Sequence, residues 1–184
     1  LSRKTARSFE EFVKALVIHF NKEKLDYAIT GAVAASYYGV PRTTVDVDFV
    51  VNLSPRERRR FLKSLETVSV KADPRRIQQQ LKSGYTVITV EDTLAPRQAD
   101  LILSDAPIER RKGTIMGVKA YFQTPESLIL AKLRMIKATL PPDRSFKDRE
   151  DIRNIIANTR VNKRKLRSLA KEQGTDPLLA EFLK

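Results

Sequence analysis

Cysteine is absent from this chain and histidine occurs once, as His19. These absences remove thiolate nucleophiles, Cys/His zinc sites and nearly every serine–histidine triad. Chemistry on this chain must therefore use carboxylates, lysine, arginine, serine or tyrosine, and a metal, where one is used, is expected to be one that prefers oxygen. His19 lies inside an amphipathic helical pattern and reads as a structural histidine. No apolar run approaches the roughly 18 residues of a membrane span, and the N-terminal LSRKTARSFEEF lacks the apolar centre of a secretory signal. A cytoplasmic protein with no membrane partner is expected. The chain begins at Leu1, so its native start is expected to lie upstream. Internal repeats and low-complexity linkers are also missing.

What is present is charge of one sign. The formal net charge is +13 and the pI about 10.1. A basic surface gains affinity for phosphates by releasing counterions, which points to a polyanionic partner. A heat-adapted surface rich in ion pairs is the alternative, and it accounts for many charges but not for their imbalance. At 184 residues the chain suits one domain, or a core with a helical extension, and buries a core without staples.

The stretch TGAVAASYYGVPRTTVDVDFVV, from Thr30 to Val51, organises the rest. Gly31 follows an apolar run, and Ala32 to Ala35 start a helix. The chain turns at Gly39-Val40-Pro41 and enters a strand in which Val45, Val47, Phe49 and Val51 alternate with Asp46 and Asp48. The period of two predicts the apolar set in the core and both aspartates on the other face. Carboxylates roughly 7 Å apart on one strand face lower each other's acidity unless a cation sits between them. The turn at Gly31 aims helix N–H groups outward, a ready place for phosphate oxygens. Arg42 suits a phosphate contact or a solvated loop, and Thr43 and Thr44 favour extended backbone.

Elsewhere the pattern predicts helices from the Ser8/Glu11 capping box to about Lys24, from Ser54-Pro55-Arg56-Glu57 with Phe61, Leu62, Leu65 and Val68 buried, and from Asp73-Pro74 to Gly84. Between Asn52 and Lys82 stand nine basic and three acidic residues, so Arg58 and Arg59 are candidate RNA contacts. Strands are expected over Tyr85–Val90 and Gln98–Leu103. In the second, Ala99, Leu101 and Leu103 share a face and Asp100 takes the other. Ile108–Phe122 reads as a hairpin turning near Met116-Gly117. Thr124-Pro125-Glu126 opens a helix burying Leu128, Ile129, Leu133 and Ile136. Lys132 on it either snorkels to the surface or reaches a site. In Phe146-Lys147-Asp148-Arg149-Glu150-Asp151-Ile152, Asp148 and Asp151 continue an apolar helical stripe. Capping explains Asp148 better than Asp151. Two short helices close the chain. From Arg160 to Lys171 there are six basic residues and no acid, which makes Lys163, Arg164 and Lys165 further candidate RNA contacts.

The glycine turn, the small-residue helix, R-x-T-x-D-x-D, a later apolar-Asp-apolar strand and then K-D-x-x-D, in that order, resemble the nucleotidyltransferase superfamily with its DNA polymerase beta-like fold. The resemblance is nearest to minimal members and to AbiEii-type toxins of toxin–antitoxin systems, and it covers roughly Tyr27 to Asn158. It implies an α+β fold with a mixed β-sheet flanked by helices, a nucleotidyltransferase core over 1–123 and a helical C-terminal region over 124–184 packed on it. Asp46, Asp48 and Asp100 would be the catalytic carboxylates and the ligands of two magnesium ions, or manganese. Gly31, Ala32, Arg42, Thr44, Lys132, Lys147, Asp148 and Asp151 would serve the NTP. Ala32 stands where the family usually has glycine or serine. The function implied is metal-dependent transfer of an NMP from an NTP to an acceptor hydroxyl, on RNA or tRNA, in the setting of a toxin with an antitoxin partner. Transfer to a protein or to a small molecule such as an aminoglycoside, and a catalytically silent RNA- or partner-binding module, are the alternatives. The net charge counts against a cationic antibiotic.

Overall fold

The structure is a computed structural model that describes residues 6–84, 86–139 and 145–183. Its backbone falls into two compact units. The first comprises residues 1–30 and 44–122, the second 31–43 and 123–184.

Unit 1 begins with α1 (Phe9–Lys22), entered through the expected box: Ser8 accepts from the Glu11 amide, and the Glu11 carboxylate accepts from the Ser8 amide. Phe12, Val13, Leu16, Val17 and Phe20 form its buried stripe. Strands β1 (Asp26–Thr30), β2 (Val47–Asn52), β3 (Val70–Ala72), β4 (Val87–Asp92), β5 (Gln98–Leu103), β6 (Arg110–Ile115) and β7 (Val118–Gln123) form one mixed sheet, ordered β3-β4-β5-β2-β1-β7-β6. Strand β2 runs antiparallel to β1 and parallel to β5. Phe20 of α1 packs edge-on against Phe49 of β2 at 4.9 Å and Tyr27 of β1 at 5.3 Å. Helix α3 (Pro55–Ser64) starts at the Ser54/Glu57 box and adds Phe61 to this aromatic core.

A 3-10 turn (Leu65–Val68) follows, and then α4 (Pro74–Lys82), whose first amides are capped by Asp73. Leu62 and Val68, expected in the core, are only half-buried. The expected strand start at Tyr85 lies outside the described residues. The hairpin β6–β7 turns at Met116 (φ 49) and Gly117 (φ 76), the two positive angles that a two-residue hairpin needs to match strand twist.

His19 is 2% exposed, and its Nε2 lies 2.8 Å from Ser64 Oγ, which is the structural role expected. Burial lowers its pKa below the ordinary histidine value, more than neighbouring Glu23 raises it. The native state therefore binds fewer protons here than the unfolded chain. Its contribution to stability is present above about pH 6.5 and is lost as the pH falls through the lowered folded value. We expect the melting temperature to fall with acidification below about pH 6.5, and His19→Gln to flatten that slope when wild type and variant are melted across the same pH series.

Unit 2 is helical: α2 (Gly31–Tyr38), α5 (Pro125–Ala138), α6 (Phe146–Asn158), α7 (Lys163–Glu172) and α8 (Asp176–Ala180). Thr124 caps α5, and Leu128, Ile129, Leu133 and Ile136 are buried along it. Helix α2 places Ala34, Ala35 and Tyr38 in the core, with α5 and α6 as neighbours. The Tyr38 carbonyl accepts from Thr159 Oγ1 at 2.6 Å.

The glycine after α2 has a packing reason. A Cβ on Gly39 would meet Asn154 Cβ at 3.0 Å and the Ala35 carbonyl oxygen at 3.1 Å. Gly39→Ala is expected to destabilise by about 1–3 kcal/mol, measured by urea unfolding. A neutral result would mean that α6 moves aside at no cost.

Candidate functional site

Two charged constellations emerge, one in each unit. In unit 1, β2 buries Val47, Phe49 and Val51 at 0% exposure and leaves Asp48 half-buried on the other face. The strand is shorter than the alternation predicts. Val45 is 68% exposed and Asp46 precedes the first ladder residue, so Val45 contributes nothing to the core. Thr44 folds this segment into a local turn: its hydroxyl donates to the Asp46 carbonyl at 3.1 Å and accepts from the Asp46 amide at 3.4 Å.

Asp48 and Asp100 are register partners on the parallel strands β2 and β5. Residues paired at one register on adjacent strands point to the same face of the sheet, so the two carboxylates emerge side by side. Across β5 the partner of Asp100 is Thr89 of β4, whose hydroxyl donates to Asp100 Oδ1 at 2.7 Å. Thr89 is a neighbour of the candidate carboxylates that the sequence alone does not single out. Its signal was the polar position in the alternating run Val87–Asp92. Among the described residues no three Asp, Glu, His or Cys side chains are gathered closely enough to hold a metal ion.

In unit 2, Arg42, Lys132, Asp148 and Asp151 form one ion-paired network. Arg42 binds Asp151 with both arms of its guanidinium, Nε to Oδ1 at 2.9 Å and Nη2 to Oδ2 at 3.0 Å. Lys132 Nζ lies 2.7 Å from Asp151 Oδ2 and 2.9 Å from Asp148 Oδ1. The side chains of Lys132 and Asp151 are 6% and 4% exposed. Lys132 is thus neither a snorkelling surface lysine nor an unengaged cation. Asp151 continues the apolar stripe of α6 because it meets two buried or half-buried cations there. The hydrogen bond to Asp151 raises the pKa of Arg42 further, against the opposing effect of desolvation. The four formal charges cancel.

Gly31 makes the turn from β1 into α2 at φ 61, a conformation that costs a residue with a Cβ. Ala32 follows in the first turn of α2, and Lys147 is exposed in the first turn of α6. Of the candidate RNA contacts, Arg59 is exposed and Arg58 donates through Nε to the Leu53 carbonyl at 3.3 Å. Lys163, Arg164 and Lys165 are all exposed in the first turn of α7. No helix among the described residues is long and apolar enough to cross a membrane.

Neither a protein-family model nor a curated protein sequence matches the chain. Solved structures do. The antibiotic-resistance factor ANT(2'')-Ia superposes with a TM-score of 0.66 at 14% identity over 94% of each chain. An antigenic nucleotidyltransferase-like protein from Paracoccidioides brasiliensis gives 0.61 at 19% identity, over 95% of this chain and 91% of that one. The lincosamide antibiotic adenylyltransferase LnuA gives 0.54 at 13% identity, over 80% of this chain and 96% of that one. The chain has the nucleotidyltransferase fold. At these identities the likeness is one of fold, and a nucleotidyltransferase fold alone does not select an activity.

Proposed function

We propose that this chain is a metal-dependent nucleotidyltransferase that moves an NMP from an NTP to an acceptor hydroxyl on RNA, with a tRNA end as the leading acceptor. The observation that carries the reading is the placement of Asp48 and Asp100 at one register on neighbouring parallel strands, with Asp46 two residues upstream. This donor set, all hard carboxylate oxygen, fits magnesium or manganese and not a softer metal. Asp48 and Asp100 would hold it, with Asp46, exposed just before β2, as the third carboxylate of the set. When bound, such an ion neutralises phosphate charge and lowers the pKa of the acceptor hydroxyl. Thr89 fixes the Asp100 carboxylate through Oδ1. Asp100 then takes the proton as the acceptor oxygen bonds to the α-phosphorus and pyrophosphate leaves.

Within unit 2, the turn at Gly31 and Ala32 presents the first amides of α2 to phosphate oxygens. Arg42, half-exposed and oriented by Asp151, offers its remaining guanidinium edge. Lys132 serves as the buried counter-ion of Asp148 and Asp151, and Lys147 supplies an exposed cation. RNA as acceptor is supported by α7, whose first turn carries Lys163, Arg164 and Lys165 and no acid. Cations there oppose the helix dipole, and a phosphate backbone would relieve the cost. A toxin with an antitoxin partner is the biological setting that fits this reading.

The test is incubation with magnesium, each α-labelled NTP in turn, and total RNA and protein extracts. Label is expected in a discrete RNA band with the wild type and not with Asp48→Asn. Label in a protein band, or on an added aminoglycoside, would move the acceptor to one of the alternatives. Neither transfer nor magnesium-dependent NTP binding by the folded chain would leave a silent module of this fold.

A further inference from the structure

Helix α4 is amphipathic in sequence, yet none of its residues is buried. Ile77 and Leu81, one turn apart on the same face, stand half-exposed. Leu62 of α3, also half-exposed, lies along the same groove, which has a volume of about 580 Å³. Its rim is basic: Arg58, Arg59 and Lys63 line it, against the single acid Glu66. The bond from Arg58 Nε to the Leu53 carbonyl holds that guanidinium in place.

We propose that this groove docks an acidic amphipathic helix from a partner protein. Apolar side chains of the incoming helix would cover Leu62, Ile77 and Leu81, at the i, i+4 spacing by which helices fill grooves. Flanking Asp and Glu would meet Arg58, Arg59 and Lys63. An RNA backbone matches the rim but leaves the apolar floor uncovered. A second copy of the chain would bring the same basic rim against itself, on a molecule already at +13, and like charges facing each other disfavour that pairing. Charge complementarity and the uncovered α4 stripe together select an acidic helix.

The experiment is selection of displayed helical peptides of about 14 residues, with leucine fixed at helical spacing and the flanking positions randomised, against the whole chain. Selected peptides are then titrated by fluorescence anisotropy, beside a labelled single-stranded RNA. We expect the selected flanks to be rich in Asp and Glu. Leu81→Asp should weaken the peptides by about tenfold or more, equivalent to about 1.4 kcal/mol, with RNA affinity unchanged. Arg59→Glu with Lys63→Glu, both exposed in the wild type, should abolish the acidic preference without touching the floor. Circular dichroism melts establish that each variant is folded, and the exposed double variant decides the matter if Leu81→Asp is not. Failure to select any peptide, or equal binding of neutral and basic flanks, overturns the proposal. So does RNA that competes with the peptide and weakens in parallel, or a self-association in sedimentation that Leu81→Asp dissolves.

Discussion

Asp151→Ala is expected to lower stability by roughly 3–5 kcal/mol, the cost of removing one partner of a buried ion pair. The Lys132 ammonium, 6% exposed, would keep only half-exposed Asp148, and Arg42 would lose both of its bonds to the carboxylate. At roughly 2–4 °C per kcal/mol for a chain of this size, the melting temperature should fall by about 6–20 °C. Asp151→Asn, which keeps the volume and can still accept from Arg42, should lose less. Lys132→Met combined with Asp151→Leu should recover much of the loss, because an apolar pair removes both desolvated charges together. Added salt should change the wild type little, since screening acts weakly on buried pairs. A loss below about 1 kcal/mol for Asp151→Ala would place this network among surface ion pairs.

The second large effect rests on the proposed chemistry. Asp48→Asn and Asp100→Asn should each reduce the rate of NMP transfer by about 10³-fold, equivalent to about 4 kcal/mol of transition-state stabilisation. Folding should be preserved, because neither side chain is part of the buried core. Thr89→Val should cost about 10- to 100-fold, the range typical of residues that orient a metal ligand. If Asp48→Asn retains transfer within tenfold of the wild type, the carboxylate pair is not the catalytic centre. If Thr89→Val is silent while Asp100→Asn is not, Asp100 holds its orientation without the threonine.

Local chemistry explains which features could be read before any coordinates. Capping boxes at Ser8 and Ser54, the Asp73-Pro74 start and the Met116-Gly117 turn are decided by neighbours within three or four residues, and these helix starts and the hairpin turn stand where the pattern put them. Alternation located Asp100 on β5 correctly. It failed at Val45, because period two says which side a residue takes but not where hydrogen bonding to β1 begins; that ladder starts at Asp48 and Thr30. Strand β3 escaped because three residues are too few to show a period. The network of Arg42, Lys132, Asp148 and Asp151 was half legible. Asp151 stood out as an acid on an apolar stripe, but its partners Arg42 and Lys132 lie 109 and 19 positions away in the chain, and no spacing rule joins them.

The order in which unit 2 is assembled has a kinetic side. Its first helix, α2, is separated by 121 residues from the Thr159 hydroxyl that bonds to Tyr38. During synthesis the segment 31–43 therefore emerges long before α5 and α6 exist. A helix of eight residues is too short to persist in water without tertiary support, so Ala34, Ala35 and Tyr38 wait for the surfaces of α5 and α6 through the translation of more than half the chain. Loop closure over such a distance is slow compared with local hairpin formation. At roughly 5–20 residues per second, α2 spends several seconds as nascent chain open to chaperones and proteases, and stalls or truncations before α6 would leave it without a place to fold.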